Sequence, residues 1–378
     1  MNANPLKTLG TLGQSIWLDY IRRDLITSGQ LRRLIEEDGL RGMTSNPSIF
    51  EKAIVDSHEY DEEIRAMALE GKEVKAIYET ISQRDVQSAA GEFRSVYDKT
   101  DGNDGYVSLE VNPHLAHDTQ GTVEEAHRLW KTLARPNVFI KVPATIEGLS
   151  AIQELISEGI NVNVTLLFGL PRYRQVAEAY LAGLAARAAR GQSVKHVVSV
   201  ASFFVSRIDG MVDPLLEKVI VQGGEKADLA KTLRGRVAIA SAKVAYQRYK
   251  EIFGSDRFKA LAGQGARVQR LLWASTSAKS PDDSDVKYVE ALIGPDTVNT
   301  APLETLDAYR DHGDPKTRLE QNIKEARLVL ERLAELGISL DHVTQQLEDD
   351  GVEKFNKPFD KLMETLAQRF PRRLTRTS

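Results

Sequence analysis

Lys141 sits inside the apolar run VFIKVPA at 138–144. Two readings compete for such a lysine. It can blunt a sheet edge, where a charge discourages pairing with another chain. Alternatively it stands in a sheltered site, where water exclusion lowers the ammonium pKa from about 10.4 and frees the amine as a nucleophile. The other β-rich runs bear on the choice, because alternate residues of a strand face opposite sides. In VFIKVPA, Phe139, Lys141 and Pro143 oppose Val138, Ile140 and Val142. YVSLEVN at 106–112 sets Ser108, Glu110 and Asn112 against Val107, Leu109 and Val111. NVNVTLLF at 161–168 sets Asn161, Asn163 and Thr165 against Val162, Val164 and Leu166, and SIWLDYI at 15–21 sets Trp17 and Asp19 against Ile16, Leu18 and Tyr20. On a half-wet antiparallel sheet these polar groups would simply face water. Converging in one cavity, they supply a nucleophile and separate carboxylates for proton transfer. Asp19 and Glu110, if ionised nearby, oppose the depression of the lysine pKa.

The elements that must position them alternate along the chain. Further β-rich runs are GMTSNP at 42–47, HVVSVASFFV at 196–205, RLLWAST at 270–276 and the weaker DTVNTA at 296–301. Between them lie helix-period stretches such as TVEEAHRLWKTLA, LPRYRQVAEAYLAGLAARAAR and KTLRGRVAIASAKVAYQRYKEIF. Strand–helix alternation calls for a parallel sheet, and about eight such units close into a barrel, so the expected fold class is α/β, a single (β/α)8 TIM-type barrel with additional helices. A barrel needs about 250 residues. The remainder of the 378 is assigned to helical insertions near 48–105 and 209–265 and a helical extension over 313–370, within one domain spanning 1–378.

Composition narrows the function classes. Lys plus Arg total 50 against 54 Asp plus Glu, and a net charge of -4 gives no global attraction to nucleic acid or an anionic membrane. The chain has no cysteine, which removes disulfides, thiolate catalysis and Cys-ligated metals and suits a reducing compartment. The start, MNANPLKTLGTLGQ, lacks the apolar stretch of a secretory signal, and no apolar run approaches the roughly 20 residues of a membrane span. The expected location is cytoplasmic. Arg369, Arg372, Arg373 and Arg376 in the tail read as a solvated end rather than a nucleic-acid arm. VQGGEK and LAGQGAR match neither a P-loop nor a dinucleotide fingerprint and read as turns; DHGDP at 311–315 reads as a connection between helices.

WLDYI, TSNPSIF, SLEVNP, FIKVPAT, INVNVT and SFFVSRID, in this order, resemble the transaldolase family through most of the chain. The resemblance implies a class I aldolase barrel of the non-oxidative pentose phosphate pathway. The implied reaction moves a dihydroxyacetone unit from sedoheptulose 7-phosphate to glyceraldehyde 3-phosphate, giving erythrose 4-phosphate and fructose 6-phosphate. It implies that Lys141 forms the imine with the ketose C2, and that Asp19 takes the proton of the C4 hydroxyl as the C3–C4 bond breaks. Glu110, with Thr165 and a water, relays protons for carbinolamine dehydration, while Asn46, Asn163 and Ser202 hold the dihydroxyacetone hydroxyls. Phosphate binding falls to Arg207, Ser275 and Lys279. The usual arginine two residues after the serine is absent here, that position being Ser277, and Lys279 is the expected substitute. No cofactor is implied; the partners are sugar phosphates, and a homodimer is admitted. The nearest rival is fructose 6-phosphate aldolase, whose members tend to carry Gln and Tyr where this chain has Glu110 and Phe204. A metal-dependent barrel hydrolase could be drawn on His114, His117 and Asp118, although histidines near a helix entry more simply face water. A non-catalytic sugar-phosphate binder is the third alternative.

Overall fold

A computed structural model describes residues 4–278 and 280–369. Lys279 and the tail arginines Arg372, Arg373 and Arg376 lie outside the described residues. Eight strands form a closed parallel barrel in sequence order: β1 (Gln14–Asp19), β2 (Gly42–Thr44), β3 (Tyr106–Glu110), β4 (Val138–Pro143), β5 (Val162–Leu167), β6 (Ser199–Phe204), β7 (Arg270–Ala274) and β8 (Thr297–Ala301). The β1–β8 pairing, Gln14 with Thr297 through Leu18 with Ala301, closes the ring.

The two parities read from the sequence are the two walls of this barrel. Val138, Ile140, Val142, Val162 and Val164 are fully buried beneath the outer helices. The opposite parity fills the interior. Trp17 stacks on Phe139 with ring centroids 6.1 Å apart, and Phe139 meets Tyr106 at 4.4 Å. Gly42 pairs with Trp17 across β1 and β2, and a Cβ there would stand 2.5 Å from the indole; only glycine leaves room for that ring. At the amino ends of the strands Arg270 donates to Ser15 Oγ (2.9 Å) and Asp104 Oδ1 (2.9 Å), and Ser15 Oγ donates to Asp104 Oδ2 (2.7 Å). This buried, mutually satisfied trio is the barrel floor.

Some elements end earlier than their residue runs suggest. β2 stops at Thr44 because Asn46 caps the helix Pro47–Val55, accepting from Ile49 N, and Pro47 supplies no ladder donor. β3 stops at Glu110, with Asn112 capping the short turn Pro113–Leu115. The stretch from 231 to 253 is broken: Gly235, at φ +67°, separates the helices Glu225–Leu233 and Val237–Phe253, and Asp213 accepts its N–H at 2.9 Å.

The last described helix, Leu340–Arg369, lies across the carboxyl ends of the strands. Gly351 allows the close approach, since a Cβ there would stand 3.0 Å from Leu166 Cδ2. Side chains on both flanks tie it down: Glu348 to Arg172 (3.0 Å), Asp360 to His114 (2.7 Å) and Lys361 to Glu51 (2.6 Å). Among the described residues no helix is long and apolar enough to cross a membrane.

Candidate active site

Polar ends of the inward parity gather where barrel active sites form, at the carboxyl ends of the strands. Glu110, Lys141 and Asn163 occupy one register row across β3, β4 and β5. Lys141 and Glu110 side chains are each only 6% exposed, so neither charge is well hydrated. Lys141 Nζ donates to Glu110 Oε2 at 3.1 Å and to Ser45 O at 2.8 Å, and lies 5.8 Å from the Phe355 ring centroid. Burial pushes the Glu110 carboxyl above its ordinary range; Lys141 pulls it down and Asp19 pushes it up.

Asp19, the last residue of β1, accepts from Thr44 Oγ1 at 2.6 Å. That commits the Thr44 proton, so Thr300 Oγ1 donates to Thr44 at 2.8 Å. Burial raises the Asp19 pKa, opposed by the Thr44 bond and by the charges of Lys141 and Arg207. A carboxylate so held is a stronger base than one in water.

On β5 the ladder shifts register between Val164 and Leu167, where Leu166 takes φ +53°. Thr165, beside this irregularity, is fully buried, and its Oγ1 has no hydrogen-bond partner among the described residues. Asn163 donates to Ser108 Oγ at 3.0 Å and accepts from Ser202 Oγ at 2.6 Å. Asn46 spends its carbonyl on the Ile49 N–H, leaving its amide N–H groups as donors.

A cavity of about 190 Å³ opens at this end, lined by Asp19, Asn46, Lys141, Thr165, Ser202 and Arg207, with Phe204, Ser275 and Phe355 as further walls. Arg207 lies in the first turn of the helix Ser206–Gln222, its guanidinium 5.0 Å from the Phe204 ring centroid. It makes no ion pair with a described residue, and burial pushes its pKa down while Asp19 opposes the shift. Ser275, at φ +55° just after β7, sets its Oγ 2.9 Å from Ser206 Oγ. Arginine, two hydroxyls and a helix amino end therefore stand together.

A sequence profile of the family described as Transaldolase/Fructose-6-phosphate aldolase matches residues 16–366. A protein named Transaldolase from Trichodesmium erythraeum is 48% identical over 373 residues, covering 98% of each chain. Proteins of the same name from Saccharopolyspora erythraea and Thiobacillus denitrificans are 47% and 46% identical, covering 97% and 95% of this chain and 98% and 99% of their own. The chain belongs to the transaldolase/fructose-6-phosphate aldolase family.

Within this family barrel the cavity brings together Lys141, Asp19, Thr165, Asn46, Ser202, Phe204, Arg207 and Ser275, with Glu110 directly behind Lys141. Asn163 stands in the hydrogen-bonded row behind Ser202. His114 and His117 diverge to separate carboxylates, Asp360 at 2.7 Å and Glu147 at 3.2 Å, and no group of three potential metal ligands exists among the described residues. Sequence reasoning missed Thr44, the Ser45 carbonyl and Phe355. Thr44 ends an inward parity in β2 and could have been found; Phe355 reaches the site only through the docking of its helix.

Proposed function

We propose that the chain is a transaldolase that transfers dihydroxyacetone from sedoheptulose 7-phosphate to glyceraldehyde 3-phosphate through an imine on Lys141. The contact between buried Lys141 Nζ and Glu110 Oε2, on the wall of a cavity that also holds Asp19 and Arg207, carries this reading. Passing a proton from the ammonium to Glu110 leaves the neutral amine, which adds to the ketose C2 and forms the carbinolamine. Glu110 then protonates the departing hydroxyl, water leaves, and the nitrogen lone pair completes a protonated imine. Thr165 Oγ1 suits the holding of that water.

Asp19 takes the C4 hydroxyl proton as the C3–C4 bond breaks. The bonding electrons flow into the imine, leaving an enamine on Lys141 while the first aldose phosphate departs. The second aldehyde accepts the enamine carbon, Asp19 returns the proton to the new alkoxide, and hydrolysis frees Lys141. Asn46 and Ser202, with Asn163 orienting Ser202, suit the dihydroxyacetone hydroxyls. Arg207, Ser275 and the helix amino end suit the phosphate, with Lys279 as an added cation. The imine is its own electron sink, so no cofactor enters these steps. One domain and a cytoplasmic location belong to the same reading, supported by the profile match over residues 16–366 and the cysteine-free composition, and a homodimer is admitted.

Trapping tests the reading directly. Borohydride with fructose 6-phosphate should reduce the imine to a stable adduct on the Lys141 peptide, read by mass analysis; an unlabelled peptide overturns it. Fructose 6-phosphate aldolase remains the second reading because the matched family includes it. A coupled assay separates the two, since equal ketose cleavage with and without an acceptor aldehyde would favour the aldolase.

A further inference from the structure

Glu110 does not line the cavity into which Lys141 opens. Glu110 instead borders a second cavity behind the Lys141 contact, shared with Ser45, Asn46, Tyr78, Ser82 and Glu125. Asn46 borders both. The rear chamber has about 20 Å³ of space at water size, and one water needs roughly 10–15 Å³ together with polar partners. Exposure rises in order from Glu110 (6%) through Glu125 (11%) and Glu79 (19%) to Lys75 (51%), so the chamber leads from the buried carboxyl toward solvent. At the rim Lys75 Nζ lies 3.4 Å from Glu125 Oε2 and 3.7 Å from Glu79 Oε1. Glu125 Oε1 accepts from Asn112 N at 2.7 Å, which fixes this rim against the strand end that carries Glu110.

Tyr78 stands within the chamber. Its ring is held edge-on by Phe50 at 6.0 Å and Phe359 at 5.6 Å. Phe359 lies one helical turn after Phe355, so one face of the covering helix closes both cavities. Burial and the charges of Glu110, Glu125 and Glu79 push the Tyr78 hydroxyl well above its ordinary pKa, opposed by its hydrogen bond with Ser82. The hydroxyl therefore keeps its proton and can both donate and accept.

We propose that the rear chamber is the proton route to Glu110, and that Tyr78 is the positioning residue that holds a water between Glu110 and the Glu125–Lys75 rim. This rests on the reading that Glu110 handles protons at the carbinolamine. Dehydration moves one proton from Glu110 to the C2 hydroxyl, breaks the C–O bond and releases one water; hydrolysis takes one water back. A ketose beneath Phe355 fills the front cavity during these steps, and the rear chamber reaches Glu110 without crossing it.

Two variants of the full chain test this. Tyr78→Phe keeps the ring contacts and removes the hydroxyl; Ser82→Leu fills the chamber. Rapid-quench borohydride trapping with fructose 6-phosphate should show imine formation slowed about tenfold in each, with the ketose KM unchanged. Exchange of the ketose C2 oxygen with isotopically labelled water, followed without acceptor, should slow in parallel. Parent rates of trapping and exchange in folded Tyr78→Phe overturn the proposal, whatever Ser82→Leu does. Failure of the parent enzyme to yield any Lys141 adduct would defeat the underlying reading instead.

Discussion

The barrel buries an arginine, carboxylates and hydroxyls at both ends, yet the two ends use them differently. On the floor, Arg270, Asp104 and Ser15 satisfy one another. At the mouth, Arg207 has no ion pair with a described residue, Thr165 Oγ1 has no partner among them, and the Asp19 and Glu110 carboxyls are pushed up by burial. A closed network contributes rigidity, whereas unspent bonding capacity is what a substrate can use. Lys141 sits between these limits, bonded to Glu110 and the Ser45 carbonyl but facing the cavity.

The largest test of this contrast is Lys141→Met. Turnover should fall by more than about 10⁴-fold and borohydride labelling should vanish, while circular dichroism shows the fold retained. At the floor the effects should exchange places. Arg270→Leu strands Asp104 in an apolar interior and should cost about 3–5 kcal/mol, read by denaturant unfolding. The double replacement Arg270→Leu/Asp104→Leu should recover part of that loss.

Arg207→Leu sharpens the comparison because it removes a cation that has no ion-pair partner. Stability should hold or rise, while kcat/KM for glyceraldehyde 3-phosphate falls about 100-fold and that for unphosphorylated glyceraldehyde changes little. An equal loss with both acceptors would remove Arg207 from the phosphate site. A smaller effect lies on the helix Ser206–Gln222 itself, where Asp209 accepts from Ala238 N (2.8 Å) and Tyr288 Oη (2.9 Å). Burial pushes its pKa up to about 6 from 3.8. A raised folded-state pKa means that its contribution is fully present below the unfolded value and is lost as pH rises through the folded one. Unfolding at pH 5 and pH 7.5 should therefore show about 1–2 kcal/mol lost across that window, and Asp209→Asn should flatten the change.

Period-2 alternation was enough to place Asp19, Glu110, Lys141 and Thr165 on one wall, because a closed barrel leaves the inward parity only one interior to share. Strand ends were less legible. Asn46 and Asn112 look like continuations of their strands but serve as caps, a decision made by the proline that follows each. The break at Gly235 was hidden within a helical period and depends on the distant Asp213. Phe355 and Tyr78 gave no local signal, since what each faces is set by how separate helices dock against the barrel mouth. Lys279 stands outside the described residues, so its part in phosphate binding rests on sequence alone.

Because the helix Leu340–Arg369 follows every strand in the chain, a growing polypeptide can close its barrel before that helix emerges. Until Gly351 settles over Leu166, Lys141 has no Phe355 beside it. The cover of the reactive amine is therefore the last described part of the fold to be synthesised.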